Sequence, residues 1–229
     1  MLSPLRKALK IFHPEGIPWP GTVLYNAISK VGIFQETYDL IARDILTYSS
    51  RGALLDIGTG PGRLLMKLSS MSPGLTMTGL DVSPSMVKKA QKNMQEEGLS
   101  DSVPIRVGNA SNLPFPDKSF DLIVSTGSIH HWKQPKRSFN EIHRVLTDGG
   151  YALMYDLVSD TPTSVMRQTA REFGKVKMVL MWVHAFEEPF YSSKGFNSLP
   201  HDTLFVDGNI RFVGIMCCLV LRKKYPVPE

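Results

Sequence analysis

One stretch constrains this chain more than any other: Leu54-Leu55-Asp56-Ile57-Gly58-Thr59-Gly60-Pro61-Gly62-Arg63-Leu64. Residues 53–57 form a short apolar run that reads as a buried strand, and residues 64–70 continue as a helix. Between them stand three glycines at alternate positions. Glycine lets the backbone turn sharply and lets a ligand lie against bare main chain. The pattern therefore predicts a strand–loop–helix unit, either a ligand cradle or only a tight turn. The dinucleotide fingerprint spaces its glycines G-x-G-x-x-G; here the third glycine comes one residue early and position 63 is arginine. Asp56 beside the loop suits a ligand with a positive ammonium group better than a pyrophosphate, which would meet like charge.

The same alternation continues to residue 156. Residues 75–80 read as a second strand. A helix follows with Ser83 as N-cap, Pro84 at its first position and Gly98 as its stop. Met86, Ala90 and Met94, four apart, share its buried face. Residues 103–107, 120–125 and 151–156 read as further strands. A helix over 135–146, with Phe139, Ile142, Val145 and Leu146 on one stripe, ends at Asp148-Gly149-Gly150. Strands alternating with helices predict an α/β fold, a parallel sheet covered on both faces in three layers. The ends differ. Residues 1–50 read as helical, with Leu2, Leu5, Leu9 and Phe12 along one face. Residues 162–190 are Met- and aromatic-rich and read as helical too. Residues 204–206 and 212–221 flank Asp207-Gly208-Asn209, a hairpin-turn signal.

At 229 residues the chain suits one domain with decorations. Its net charge of +5 comes without a dense Lys/Arg tract, so charge implies no nucleic-acid partner. The longest apolar run, 213–221, is far short of the roughly 20 residues a membrane span needs. The first residues lack the apolar stretch of a secretory signal, and Cys217 and Cys218, adjacent in a strand, would point to opposite faces. The expectation is a reduced, cytoplasmic protein. Arg6, Lys7 and Lys10 lie opposite Leu2, Leu5 and Leu9. Such a basic amphipathic start either packs over the site or makes weak contact with a membrane surface.

Further residues carry chemistry. Asp81, 23 residues beyond Gly58 and at the end of the second strand, can accept both hydroxyls of a ribose. After the third strand, Asn109 offers a carbonyl to an exocyclic amine, or closes an Asx turn, and neighbouring N–H groups can donate to a ring nitrogen. Asp156, ending the fifth strand, falls at the sheet edge where open α/β folds bind ligands, or caps the next helix.

Taken together, LLDIGTGPGRL, GLDVS, the block GNASNLPFPDKSFDLIVSTGSIHHW and EIHRVLTDGGYALMYD resemble the class I S-adenosylmethionine-dependent methyltransferases, in their small-molecule, type 11-like branch. The resemblance covers residues 51–157 and the terminal hairpin. It implies a Rossmann-like sandwich with a seven-stranded, mostly parallel sheet whose last strand is antiparallel. It divides the chain into a helical cap (1–50), a cofactor-binding core (51–157), a helical substrate-cap insertion (158–198) and a terminal strand pair (199–229). By resemblance, Asp56, Gly58, Thr59 and Gly60 hold the methionine end of S-adenosylmethionine. Asp81 binds its ribose, Val82 and Met86 pack near the adenine, and Asn109 and Ala110 face the adenine edge. The family more often has aspartate at Asn109. Ser125 and Thr126 open the loop placed beside the reactive methyl, where His131 or His130 is a candidate general base or a mere packing group. No metal is implied.

The expected activity is methyl transfer to a small-molecule or lipophilic acceptor lined by aromatic and Met residues such as Trp19, Tyr25, Phe34, Tyr38, Met178, Trp182 and Phe190. An NAD(P)-dependent oxidoreductase is the other enzyme class, disfavoured by the glycine spacing and the lack of a Tyr-x-x-x-Lys pair. A non-catalytic protein that binds S-adenosylmethionine is a third reading. Nucleic-acid base methylation would call for an Asn/Asp-Pro-Pro-Tyr-like stretch where the chain has STGSIHHW.

Overall fold

The computed structural model describes residues 32–174, 190–205 and 208–225. Its elements in chain order are α1 (Gly32–Leu46), β1 (Gly52–Ile57), α2 (Arg63–Met71), β2 (Leu75–Asp81), α3 (Pro84–Glu96), β3 (Ile105–Val107) and β4 (Phe120–Thr126). A 3₁₀ turn (Ile129–His131) leads to α4 (Pro135–Val145), β5 (Leu146–Asp156), α5 (Thr163–Phe173), α6 (Ser193–Asn197), β6 (Asn209–Val213) and β7 (Met216–Arg222). The expected cap residues Trp19, Tyr25, Met178 and Trp182, and the side chain of Phe34, lie outside the described residues, as does the basic N-terminal face.

The seven strands form one sheet in the order β3-β2-β1-β4-β5-β7-β6. Strands β1 to β5 pair in parallel, and β7 runs antiparallel between β5 and β6. Successive residues of a strand face opposite sides, so the continuous apolar runs of β1 and β4 are buried on both. Leu54, Leu122, Val124, Leu153 and Cys218 pack with α1, α2 and α3 on one side. Leu55, Ile123, Ala152, Met154 and Cys217 pack with Phe139, Ile142 and Val145 of α4 on the other. These are the three layers expected, and the two cysteines fall on opposite faces. Each fully buried aliphatic side chain contributes roughly 1.5–3 kcal/mol relative to exposure. Helix α3 starts as its sequence predicts: Ser83 Oγ accepts from the Met86 N–H at 3.4 Å, and Pro84 occupies the first turn.

Three expectations need correcting. The terminal hairpin does not turn at Asp207-Gly208-Asn209. Asn209 already lies in β6, Val213 pairs with Met216, and the turn is Gly214-Ile215. Gly214 has φ +55°, the conformation a two-residue hairpin asks of its first central residue when that is glycine. Residues 204 and 205 form no strand, and Leu204 is exposed. The Asp148-Gly149-Gly150 segment lies inside β5, not before it. Its diglycine takes ladder bonds with the chain after β7: Gly149 N–H donates to Lys223 O at 2.8 Å, and Lys223 N–H donates to Gly150 O at 3.0 Å. The third strand spans only Ile105–Val107.

The sheet leaves β1 in two directions, to β2 and β3 on one side and to β4 on the other. Open α/β sheets bind ligands beyond the carboxyl ends of their strands at such a switch. Asp56, Asp81, Thr126 and Asp156 all lie at or near those ends.

Candidate active site

At the β1–β2 rim the backbone is shaped by glycine. Gly58 has φ +74°, and a Cβ there would stand 2.5 Å from the Ser128 side chain. Gly62 has φ +79°, and its Cβ would stand 2.5 Å from Met94 Cε. Both positions exclude larger residues by conformation and by space. The Gly58 and Thr59 N–H groups bond to Leu80 O at 2.8 and 3.0 Å, which ties the loop to β2.

Two acids face this loop. Asp56, 2% exposed, accepts from Thr59 Oγ1 at 2.8 Å. Burial pushes its carboxyl up to about 7, against the Thr59 hydrogen bond, and the charge of Asp81 adds to the rise. Asp81 accepts from the Gly60 N–H at 2.8 Å through Oδ2 and from the Ser83 N–H at 2.9 Å through Oδ1. Burial raises it also. An ionised carboxylate offers about four acceptor positions, so two at Asp81 remain for the hydroxyls of a sugar. Val82 follows Asp81 directly, and buried Met86 lies one turn into α3.

The β3–β4 connection forms the next wall. Asn109 Oδ1 accepts from the Ser111 N–H and Oγ, both at 2.9 Å, so Asn109 closes an Asx turn. Ala110 beside it is buried. Sequence reasoning missed what holds this wall. Glu141 of α4 accepts from the Leu113 N–H at 2.8 Å. Arg144 donates to Leu113 O, Phe115 O and Asp117 Oδ1 at 3.0, 2.9 and 2.8 Å. The available signal was the Glu141/Arg144 pair, three residues apart on one helix face.

At the β4–β5 rim, Ser125 Oγ and Ser128 Oγ lie 2.7 Å apart, and Ser128 Oγ donates to Ile57 O at 3.4 Å, joining the loops after β1 and β4. Gly127 has φ +62°, and nothing lies within 4 Å of where its Cβ would stand. The Thr126 hydroxyl is buried with no hydrogen-bond partner among the described residues. The structure also separates the two histidines. His130 is buried, its backbone N–H donates to Asp156 Oδ2 at 3.0 Å, and its Nδ1 lies 2.9 Å from both Asp156 oxygens. His131 is half-buried, its ring centroid 4.0 Å from that of His130. Phe190 packs edge-on against His130 at 4.5 Å. Burial and the Asp156 charge push the Tyr191 hydroxyl up to about 12. Asp156 also accepts from the Leu157 N–H, so it both starts the next segment and holds a histidine.

These residues fit a cationic nucleoside. Among the described residues neither Asp56 nor Asp81 forms an ion pair, while the Thr126 hydroxyl lacks a partner. Cys217 and Cys218 suit no nucleophilic role, since burial pushes both thiols up to about 12. Among the described residues no cluster of His, Cys, Asp or Glu is arranged for a metal, and no helix is long and apolar enough to cross a membrane.

Known proteins share this arrangement. The rice (Oryza sativa subsp. japonica) chloroplastic 2-methyl-6-phytyl-1,4-hydroquinone methyltransferase 2 is 37% identical over 114 residues, 50% of this chain and 32% of that protein. The ubiquinone/menaquinone biosynthesis C-methyltransferase of Geotalea daltonii is 25% identical, over 58% of this chain and 57% of that one. The matches span about a third of the length of the two rice relatives. A crystal structure from Methanococcus maripaludis, described as an S-adenosyl-L-methionine-dependent methyltransferase, superposes with a TM-score of 0.68 at 26% identity, covering 90% of this chain and 94% of that one. The methyltransferase domain family matches residues 55–154. That stretch runs from the strand bearing Asp56 to the strand ending in Asp156, so the sequence that builds the rim also makes this chain a member of the class I S-adenosylmethionine-dependent methyltransferases.

Proposed function

We propose that the protein transfers a methyl group from S-adenosylmethionine to a small lipophilic acceptor of the hydroquinone type. The observation that carries the donor half is the pair of buried carboxylates, Asp56 and Asp81, at the ends of β1 and β2 with no cation of the protein's own. When bound, the donor supplies a methyl group already activated on a positive sulfonium. Asp56, Gly58, Thr59 and Gly60 would hold its methionine end and Asp81 its ribose. Val82, Met86 and Ala110 would line the adenine. With Asn109 Oδ1 engaged by Ser111, recognition of the adenine edge falls chiefly to main-chain groups of that turn. Ser125 and Thr126 would face the reacting end. In-line displacement needs chiefly alignment and exclusion of water, so a site without a nucleophilic triad suits it.

The acceptor half rests on likeness. The rice relative is named for a phytyl hydroquinone and the Geotalea relative for C-methylation in quinone biosynthesis. A Lactiplantibacillus plantarum relative, 29% identical over 62% of both chains, is named a demethylmenaquinone methyltransferase. Phe190 and Tyr191 beside His130 and Asp156 supply an aromatic wall suited to such a ring. Calorimetry with S-adenosylmethionine and with NAD tests the donor: saturable binding of the former alone is expected, and binding of NAD alone would overturn the reading. Release of S-adenosylhomocysteine with 1,4-naphthohydroquinone tests the acceptor. Donor binding without release on this or any other acceptor would mark a binding protein.

A further inference from the structure

His130 and Asp156 lie 26 residues apart in sequence and come together on the rim beside the loop that would face the methyl group. A carboxylate can only accept, so the short contacts from Nδ1 to both Asp156 oxygens put a proton on Nδ1. The ring nitrogen that can take a further proton is then Nε2. The backbone N–H of His130 bonds to the same carboxylate, which fixes the ring's place as well as its tautomer. The carboxylate is 1% exposed, so any positive charge gained by the imidazole meets a negative charge little screened by water.

We propose that His130 is the general base of the transfer, with Asp156 as the residue that positions and charges it. The inference rests on the methyltransferase reading above and extends it from donor to acceptor. The acceptor O–H bond breaks and its proton passes to Nε2, while the electron pair stays on the acceptor. The acceptor then bonds to the methyl group, through the oxygen or the ring carbon conjugated with it, as the carbon–sulfur bond gives its pair to sulfur. For the carbon route, the ring proton restores the O–H. One positive charge disappears at sulfur and one appears on His130, opposite Asp156, so the rim's net charge is unchanged. An acceptor that must lose a proton, such as a phenol, needs this pair. The ionisable groups around His130 are Asp156 of β5, His131 in its own turn, Tyr191 of the covering segment, and beyond Asp156 the buried Cys217 of β7, with Asp160 nearby.

The test uses His130→Gln and Asp156→Asn beside the wild type. Donor affinity by calorimetry is expected to stay within about twofold in both variants. With 1,4-naphthohydroquinone as the probe, kcat should fall about 100-fold in His130→Gln, within the usual range for loss of a general base, and about tenfold in Asp156→Asn. The acid limb of the wild-type kcat/KM profile should vanish in His130→Gln and move to lower pH in Asp156→Asn, because removing the carboxylate disfavours the imidazolium. Imidazole ¹⁵N spectra should show the wild-type His130 proton on Nδ1, with no acceptor present. An Nε2–H tautomer, an unchanged acid limb in His130→Gln, losses that merely track donor affinity, or no methylation of the probe by donor-loaded wild type would each overturn the pairing. Failure of the wild type to bind the donor would instead overturn the methyltransferase reading.

Discussion

The two rims of the switch point hold buried acids in opposite circumstances. At β1–β2, Asp56 and Asp81 are satisfied by N–H and O–H groups only, and burial raises both carboxyls. At β4–β5, Asp156 has an imidazole at 2.9 Å. An uncompensated buried charge is expensive, and a protein retains one where a partner arrives from outside or sits within. The first rim is therefore built to receive a cation, and the second carries its own means of making one.

The largest test of that contrast is Asp81→Ala. Losing two charge-assisted hydrogen bonds to a sugar should cost about 3 kcal/mol of donor affinity, roughly 100-fold, read by calorimetry. A loss below about threefold would remove Asp81 from the site. Next come the glycines. Gly58→Ala meets both a positive φ and Ser128 at 2.5 Å, whereas Gly127→Ala meets a positive φ and open space. Denaturant unfolding should show about 2–3 kcal/mol lost in the first and about 1 kcal/mol in the second. Equal losses would mean that close packing of the two loops contributes nothing.

The pH dependence is smaller and specific to the first rim. With its folded carboxyl raised to about 7, Asp56 contributes stability that is full below its unfolded value near 3.8 and is lost as pH rises through 7. A bound cation reverses this by favouring the ionised form. Donor affinity should rise roughly fivefold from pH 6 to pH 7, with a proton released, as seen by calorimetry in buffers of different ionisation enthalpy. Proton uptake instead would break the assignment of Asp56. The smallest change is expected far from both rims. Lys136 and Asp202 form an exposed ion pair at 2.8 Å, and Lys136→Ala should shift stability by less than about 0.5 kcal/mol.

Much of the first rim could be read from sequence because its information is local. Asp56, the three glycines, Asp81, Ser83 and Pro84 lie within 30 residues and announce themselves by spacing. The second rim is made by contact between distant segments. Neither histidine differed from the other in sequence; only the approach of β5 picks out His130. The Arg144 staple likewise needs a loop some 30 residues away. At the terminal hairpin a strong local signal misled. Asp-Gly-Asn has the composition of a turn, but Gly214 sits inside an apolar stretch that reads as one long strand. There the ladder between β6 and β7 decided the register, and strand pairing outweighs the preference of a few loop residues.

Asp44 of α1 accepts from the Tyr155 hydroxyl at 2.7 Å and from Arg211 at 2.6 Å, partners 111 and 167 positions onward. Strand β7, flanked by β5 and β6, supplies the middle of the sheet's second half from nearly the last residues described. During biosynthesis, β5 must therefore leave the ribosome with an open edge and wait some 60 residues for its neighbour. The donor-binding half can assemble early, but the finished sheet comes late, and the vulnerable interval falls on the nascent chain rather than on the mature enzyme.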